Sequence, residues 1–118
     1  MEQLIREIIA FRDERDWKQY HNPKDLALSL SLEANELLEV FQWKTSEEAV
    51  RTKRTEIEEE LADVLIYAMT LAHDLEIDIA SSIRSKITKN SIKYPIYKSK
   101  GSSQKYNELA DDRSNEQT

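Results

Sequence analysis

Glu33 and Glu36 are three residues apart, and so are Glu60 and Asp63. On a helix, residues three apart share a face, so each pair points two carboxylates the same way. On a helical wheel Glu33 falls inside an apolar stripe, with Leu26 and Leu37 on one side and Val40 on the other. Glu60 and Asp63 border a second stripe made by Leu61, Val64 and Ala68, and Tyr67 lies further along that edge. An unpaired buried carboxylate is costly even after relaxation. Packing the two stripes together would gather four carboxylates, which cannot all stay ionised without a cation. Oxygen-only ligands select hard metals, so the expected ion is Mg²⁺, with Mn²⁺ as a substitute, rather than zinc. A lone Glu-x-x-Glu is usually a solvated face, and Glu47-Glu48 and Glu58-Glu59 read that way. Two pairs on the apolar stripes of two long helices are far more specific.

Other residues gain meaning beside such a site. Lys86 and Asn90 are four apart and share a face, with Lys93 near the same side. Phosphate oxygens want donors of this kind next to a metal, although the spacing alone favours an ordinary exposed helix face. Trp17 and His21 fall in the first loop, and Trp43 ends the second helix. The two indoles are either stacking platforms for a base or fillers of core space. His21 reads as a donor to a base edge or as a brace for its own loop. His73 looks incidental.

The elements that must position these groups are helical. The chain has 118 residues, with one Gly, two Pro and no Cys. That is enough for one domain, and so few turn residues argue against a sheet. Without Cys, disulfide scaffolds and zinc–thiolate centres are excluded. Four helices are expected. The first runs from Glu2 to Arg15. The second runs from Pro23, with Asn22 at its N-cap, to about Trp43. The third segment is capped by Ser46, weak at first and strongly periodic from Ile57 to Leu75. The fourth is capped by Asp78, turns Ile79, Ile83 and Ile87 inward, and ends at Tyr94-Pro95. Residues 1–95 form the helical domain and 96–118 a loop and flexible tail, with Ser99 to Ser103 as loop. The N-terminus does not read as a signal peptide and no apolar run is long enough to span a bilayer, so the expected location is cytoplasmic, with no membrane partner. A net charge of −6 excludes a general nucleic-acid binder. An acidic chain that binds a polyphosphate needs a metal to invert the local field.

Taken together, Glu33-Ala-Asn-Glu36-Leu-Leu-Glu39, Phe41-Gln42-Trp43, Glu59-Glu60-Leu-Ala-Asp63-Val-Leu-Ile-Tyr67, Lys86, Asn90 and Lys93-Tyr94-Pro95 resemble a known family. It is the MazG-like all-α nucleoside triphosphate pyrophosphohydrolases, in their dCTP pyrophosphatase branch. The resemblance also takes in Arg15-Asp16-Trp17 and His21 upstream, and Lys100-Gly101-Ser102 with Lys105-Tyr106 downstream, about Phe11 to Leu109 in all. Leu32 and Asn35 stand where some branch members carry Gly. The resemblance implies a four-helix core and cleavage between the α and β phosphates of a nucleoside triphosphate, giving the monophosphate and pyrophosphate. It implies Glu33, Glu36, Glu60 and Asp63 as magnesium ligands, and Tyr67, Lys86 and Asn90 as phosphate-binding residues. Trp17, Trp43 and His21 match the base pocket. The substrate it implies is dCTP or a modified dCTP, and the assembly a homodimer or homotetramer with sites near subunit contacts.

In such a reaction Glu36 or Glu39 is placed to take a proton, and Lys86 to stabilise phosphate charge. Lys98, Lys100 and Lys105 are expected to fold over the triphosphate. Helix two is apolar over most of its circumference, which independently suggests an oligomer. Three rivals remain. A ferritin-like di-iron bundle wants Glu-x-x-His pairs, and neither motif holds a His. A non-enzymatic helical module would place Leu in the stripe where Glu33 stands. A sister enzyme of the superfamily, acting on dUTP, on many triphosphates or on phosphoribosyl-ATP, differs in the base pocket.

Overall fold

A computed structural model of the chain describes residues 1–101, and residues 102–118 of the expected tail, Lys105 among them, lie outside these. The described residues hold α1 (Glu2–Glu14), a 3₁₀ turn (Lys18–Tyr20), α2 (Pro23–Val40), α3 (Ser46–Thr52), α4 (Arg54–Asp74), α5 (Ile79–Lys93) and α6 (Ile96–Ser99). No strand occurs among them, and the fold is all-α. One compact unit spans Met1–Ile79 and a second begins at Ala80. No helix among the described residues is long and apolar enough to cross a membrane.

Most boundaries follow from local chemistry. Asn22 caps α2 as expected: its Oδ1 accepts the Asp25 N–H at 2.9 Å, and Pro23 occupies the first turn, where a missing N–H costs nothing. The helix stops at Val40 rather than Trp43, because the chain turns at Phe41–Lys44 and Trp43 adopts a left-handed φ of 66°. The third expected helix is two. The chain breaks at Lys53, whose φ of −125° interrupts the ladder between α3 and α4. Thr45, not Ser46, caps α3, its Oγ1 accepting the Glu48 N–H at 3.1 Å. The first hydroxyl of the Thr45-Ser46 pair takes the capping position, and Ser46 becomes the first helical residue. The segment expected to be loop after Pro95 begins with the short helix α6, and a turn at Lys100 and Gly101 follows it.

In the first unit α2 packs chiefly on α4, and α1 and α3 also pack on α4. Leu26, Ala49 and Ala72 are buried almost completely. Burying a Leu side chain such as Leu26 contributes about 1.5–3 kcal/mol. This core is small, and much of the expected apolar stripe remains uncovered in one chain. Leu61 on α4 and Leu75 at its C-cap are about half exposed. On α5, Ile83 and Ile87 are exposed rather than inward-facing.

The C-terminal ends of α1 and α4 are joined by a buried ion pair. Arg12, only 3% exposed, donates from one terminal guanidinium nitrogen to both carboxylate oxygens of Asp74 at 2.8 Å. Both helices end in the same motif, with the left-handed residue just past the cap. The Trp17 N–H reaches back to the Arg12 carbonyl across Asp16, and the Ile77 N–H reaches the Ala72 carbonyl across Glu76. Burial alone would push the Asp74 carboxyl up. The hydrogen bonds from Arg12 and His73 and their charges outweigh it and hold the group below the ordinary carboxylate value. A depressed folded-state pKa stabilises the fold above the unfolded value of 3.8 and is lost as pH falls through the folded value. We therefore expect Asp74→Ala, which leaves the buried Arg12 guanidinium only the exposed Asp13 carboxylate at 3.2 Å, to cost about 3–5 kcal/mol in urea unfolding at pH 7. The penalty should shrink as pH falls below 3.8. An equal penalty at both pH values would show that the ion pair is not what the variant removes.

Candidate metal centre

Packing of α2 on α4 brings three of the four expected ligands together. One carboxylate oxygen from each of Glu33, Glu36 and Glu60 lies within 4.8 Å of the other two. Asp63 follows Glu60 by one turn of α4 and is half-buried. It is close enough for its charge to act on Glu33 and Glu60. The periodicity explains the convergence. A carboxylate inside the α2 stripe must face whatever covers that stripe, and α4 covers it.

The electrostatics of this group favour a cation. Glu33 is pushed up to about 7, first by burial, then by a hydrogen bond with Glu36 and the charges of Glu36, Asp63 and Glu60. Glu60 is raised by burial, by the charge of Glu36 and a hydrogen bond with it, and by Asp63 and Glu59. One oxygen of Glu33 and one of Glu60 are buried with no hydrogen-bond partner among the described residues. Buried unsatisfied oxygens on mutually repelling carboxylates are the donor set a hard divalent ion wants. The residues fit the ion that the sequence implies.

Glu39 is exposed and accepts a hydrogen bond from the Asn35 side-chain amide at 3.2 Å. It shares a cavity of about 420 Å³ with Glu36, Val40, Lys44, Lys53, Glu56 and Glu60. Lys44, Lys53 and Glu56 carry no signal in the sequence pattern. Tyr67 is half-buried on α4. In the second unit, Lys86 and Asn90 are exposed on α5, and Lys86 lines a cavity of about 360 Å³ with Ser81, Ser82, Ser85 and Lys89.

The two indoles are not brought together within one chain. Trp17 packs edge-on against Phe11, with ring centroids 5.7 Å apart, and Arg15 stacks over the Phe11 ring at 3.7 Å. Trp43 is 92% exposed, so it fills no core space in the single chain. His21 is half-buried and its Nδ1 has no hydrogen-bond partner among the described residues.

Comparison with known proteins places relatives beside this geometry. The MazG-like family model matches residues 28–109. The chain is 40% identical over 114 residues to dCTP pyrophosphatase 1 of Mus musculus, covering 92% of this chain and 67% of that protein. It is likewise 40% identical to dCTP pyrophosphatase 1 of Homo sapiens, with the same coverage. Its structure resembles the crystal structure of a pyrophosphatase from Archaeoglobus fulgidus DSM 4304, with a TM-score of 0.76 and 45% identity. That match covers 80% of this chain and 92% of the other.

The raised carboxylates give the metal-free protein a pH signature. A carboxyl whose folded pKa exceeds its unfolded value of 4.5 costs stability once it must ionise. The metal-free melting temperature should therefore fall as pH rises from about 4.5 through about 7. Excess magnesium should remove that slope, and Glu33→Gln should flatten it without metal. Calorimetric scans that show no slope in the metal-free wild type would contradict this account of the cluster.

Proposed function

This chain belongs to the MazG-like family, and on that footing we propose that it is a magnesium-dependent nucleoside triphosphate pyrophosphohydrolase acting on dCTP or a modified dCTP. The observation that carries the reading is the convergence of Glu33, Glu36 and Glu60 on the packed face of α2 and α4, in a chain 40% identical to dCTP pyrophosphatases. In the reaction a water oxygen bonds to the α phosphorus. The bond from that phosphorus to the α–β bridging oxygen breaks, pyrophosphate leaves, and the water proton passes to a base. Glu33, Glu36, Glu60 and Asp63 would hold the ion, which supplies Lewis-acid polarisation and a more acidic water. Glu36 or Glu39 would accept the proton. Lys86, Asn90 and Tyr67 would serve as donors to the phosphate oxygens.

For the base, the exposed ring of Trp43 supports a stacking role, with Trp17 and His21 as further members of the pocket. Stacking tolerates any base, so choice of cytosine needs hydrogen bonds at its exocyclic amine. The uncovered apolar residues of α4 and α5 support a homodimer or homotetramer. Light scattering at micromolar concentration should then give two or four chains, and a monomer mass would refute the assembly.

Pyrophosphate release from a panel of nucleoside and deoxynucleoside triphosphates with magnesium tests the activity, and dCTP should lead. Glu60→Gln and Asp63→Asn should abolish turnover while circular dichroism stays helical, and near-normal rates in both would sink the assignment. Trp43→Ala should weaken all nucleotides by a similar factor, about 1–3 kcal/mol, and leave the order of bases unchanged. Intact affinity for every nucleotide would remove Trp43 from the pocket.

A further inference from the structure

Three contacts converge on Trp17 from the end of α1. The Trp17 N–H reaches the Arg12 carbonyl at 3.2 Å. The indole stands edge-on against Phe11, with ring centroids 5.7 Å apart. The Arg15 guanidinium lies 3.7 Å from the centre of the Phe11 ring and 5.9 Å from that of Trp17. It also donates to the Phe11 carbonyl at 2.9 Å, which keeps it in place. Asp16, with a left-handed φ of 54°, lets the chain turn back far enough for all three. Main chain and ring are thus both referred to α1, although Trp17 is 45% exposed.

Arg12 carries this placement on to α4. Its carbonyl receives Trp17, and its buried side chain sets one terminal nitrogen on both oxygens of Asp74. Asp74 is the last residue of α4, the helix that bears Glu60 and Asp63. Apolar contacts are not directional and would let the end of α1 roll, whereas a guanidinium held on two carboxylate oxygens fixes its rotation. A ring that only covers apolar surface needs no such anchor. A stacking platform gains from one, because a ring already fixed loses less freedom when a base covers it. We propose that Arg12 is a positioning residue for nucleotide binding: through Asp74 it holds Trp17 at a set place on the α4 frame, with Phe11 as the brace of the ring. The inference rests on the base-pocket reading of Trp17 above and deepens it. Neither Arg12 nor Asp74 belongs to the motifs that carry the family resemblance, so membership of the family does not imply the anchor. The role gives Arg12 no proton and no phosphate, so its effect is confined to ligands that bring a base.

The test uses the full chain with magnesium and two probes, dCMP with a base and magnesium pyrophosphate without one. By calorimetry Arg12→Met should weaken dCMP about fivefold, the low end of what one stacked base is worth, and leave pyrophosphate unchanged. KM for dCTP should rise by a similar factor while kcat holds. With Trp43→Phe leaving Trp17 as the single indole, Arg12→Met should at least double the quenching of its fluorescence by acrylamide. Arg12→Lys, which still offers one nitrogen to both oxygens, should behave as wild type. Trp17→Ala should weaken dCMP as well, and Arg12→Met should add nothing in that background. Thermal melts confirm that each variant is folded. If Arg12→Met does not fold, Phe11→Leu at its half-exposed position should give the same pattern. Unchanged quenching overturns the proposal, as does unchanged dCMP affinity where Trp17→Ala lowers it. So does an equal loss of pyrophosphate affinity, which a merely structural role would produce. If Trp17→Ala leaves dCMP affinity intact, the base-pocket reading fails instead, and the quenching still decides whether Arg12 holds the ring.

Discussion

Glu33 can stand in the apolar stripe of α2 only if something answers its charge. The rest of the first unit follows from that requirement. Helix α2 must be covered, because its stripe is too apolar to face water, and α4 covers it. The cover carries Glu60 and Asp63 on the same side, so burial and like-charge repulsion act together. Proteins rarely tolerate that arrangement for its own sake. The cost is fixed by the packing of two helices, and on the proposed function a metal ion relieves it. Stability and metal affinity would then be linked, since an ion that binds the folded cluster stabilises the fold by mass action.

The Arg12–Asp74 pair shows the opposite solution in the same unit. There the buried charge is met by a partner in the same chain, with both carboxylate oxygens held at 2.8 Å. The two sites lie at different positions along α4, near its N-terminal half for Glu60 and at its last residue for Asp74. One helix thus carries an internally satisfied charge that holds α1 and a second, at Glu60, with one buried oxygen lacking a hydrogen-bond partner among the described residues. Only the second has the raised pKa values associated with functional groups.

The all-α architecture, the start of α2 and the pairing of the carboxylates were legible because each depends on local chemistry or on a 3.6-residue period. Asn22-Pro23 is a cap whatever surrounds it. Glu33 among leucines is anomalous on any helical wheel. The break at Lys53 was not legible, since neither Gly nor Pro marks it and Glu-rich sequence on both sides is helical. For the same reason Lys44, Lys53 and Glu56 escaped notice, because a cavity wall assembled from three segments has no period. The inward orientation expected of Ile83 and Ile87 failed for a different cause. Periodicity shows that a face is apolar and does not show that the same chain covers it.

Three turns end on left-handed backbones at Asp16, Trp43 and Glu76, while the chain's one glycine stands elsewhere, at Gly101. A side chain at such a φ costs about 1–3 kcal/mol, yet a residue other than glycine also surrenders less freedom when it folds. At Trp43 the result is an indole that projects into solvent from a main chain with few alternatives. Its backbone, though not its side-chain torsions, is set at folding rather than at encounter. Whatever flat surface meets that ring, the entropy of fixing its backbone is not charged again on association, and binding is correspondingly less sensitive to temperature than for a ring on a loose loop.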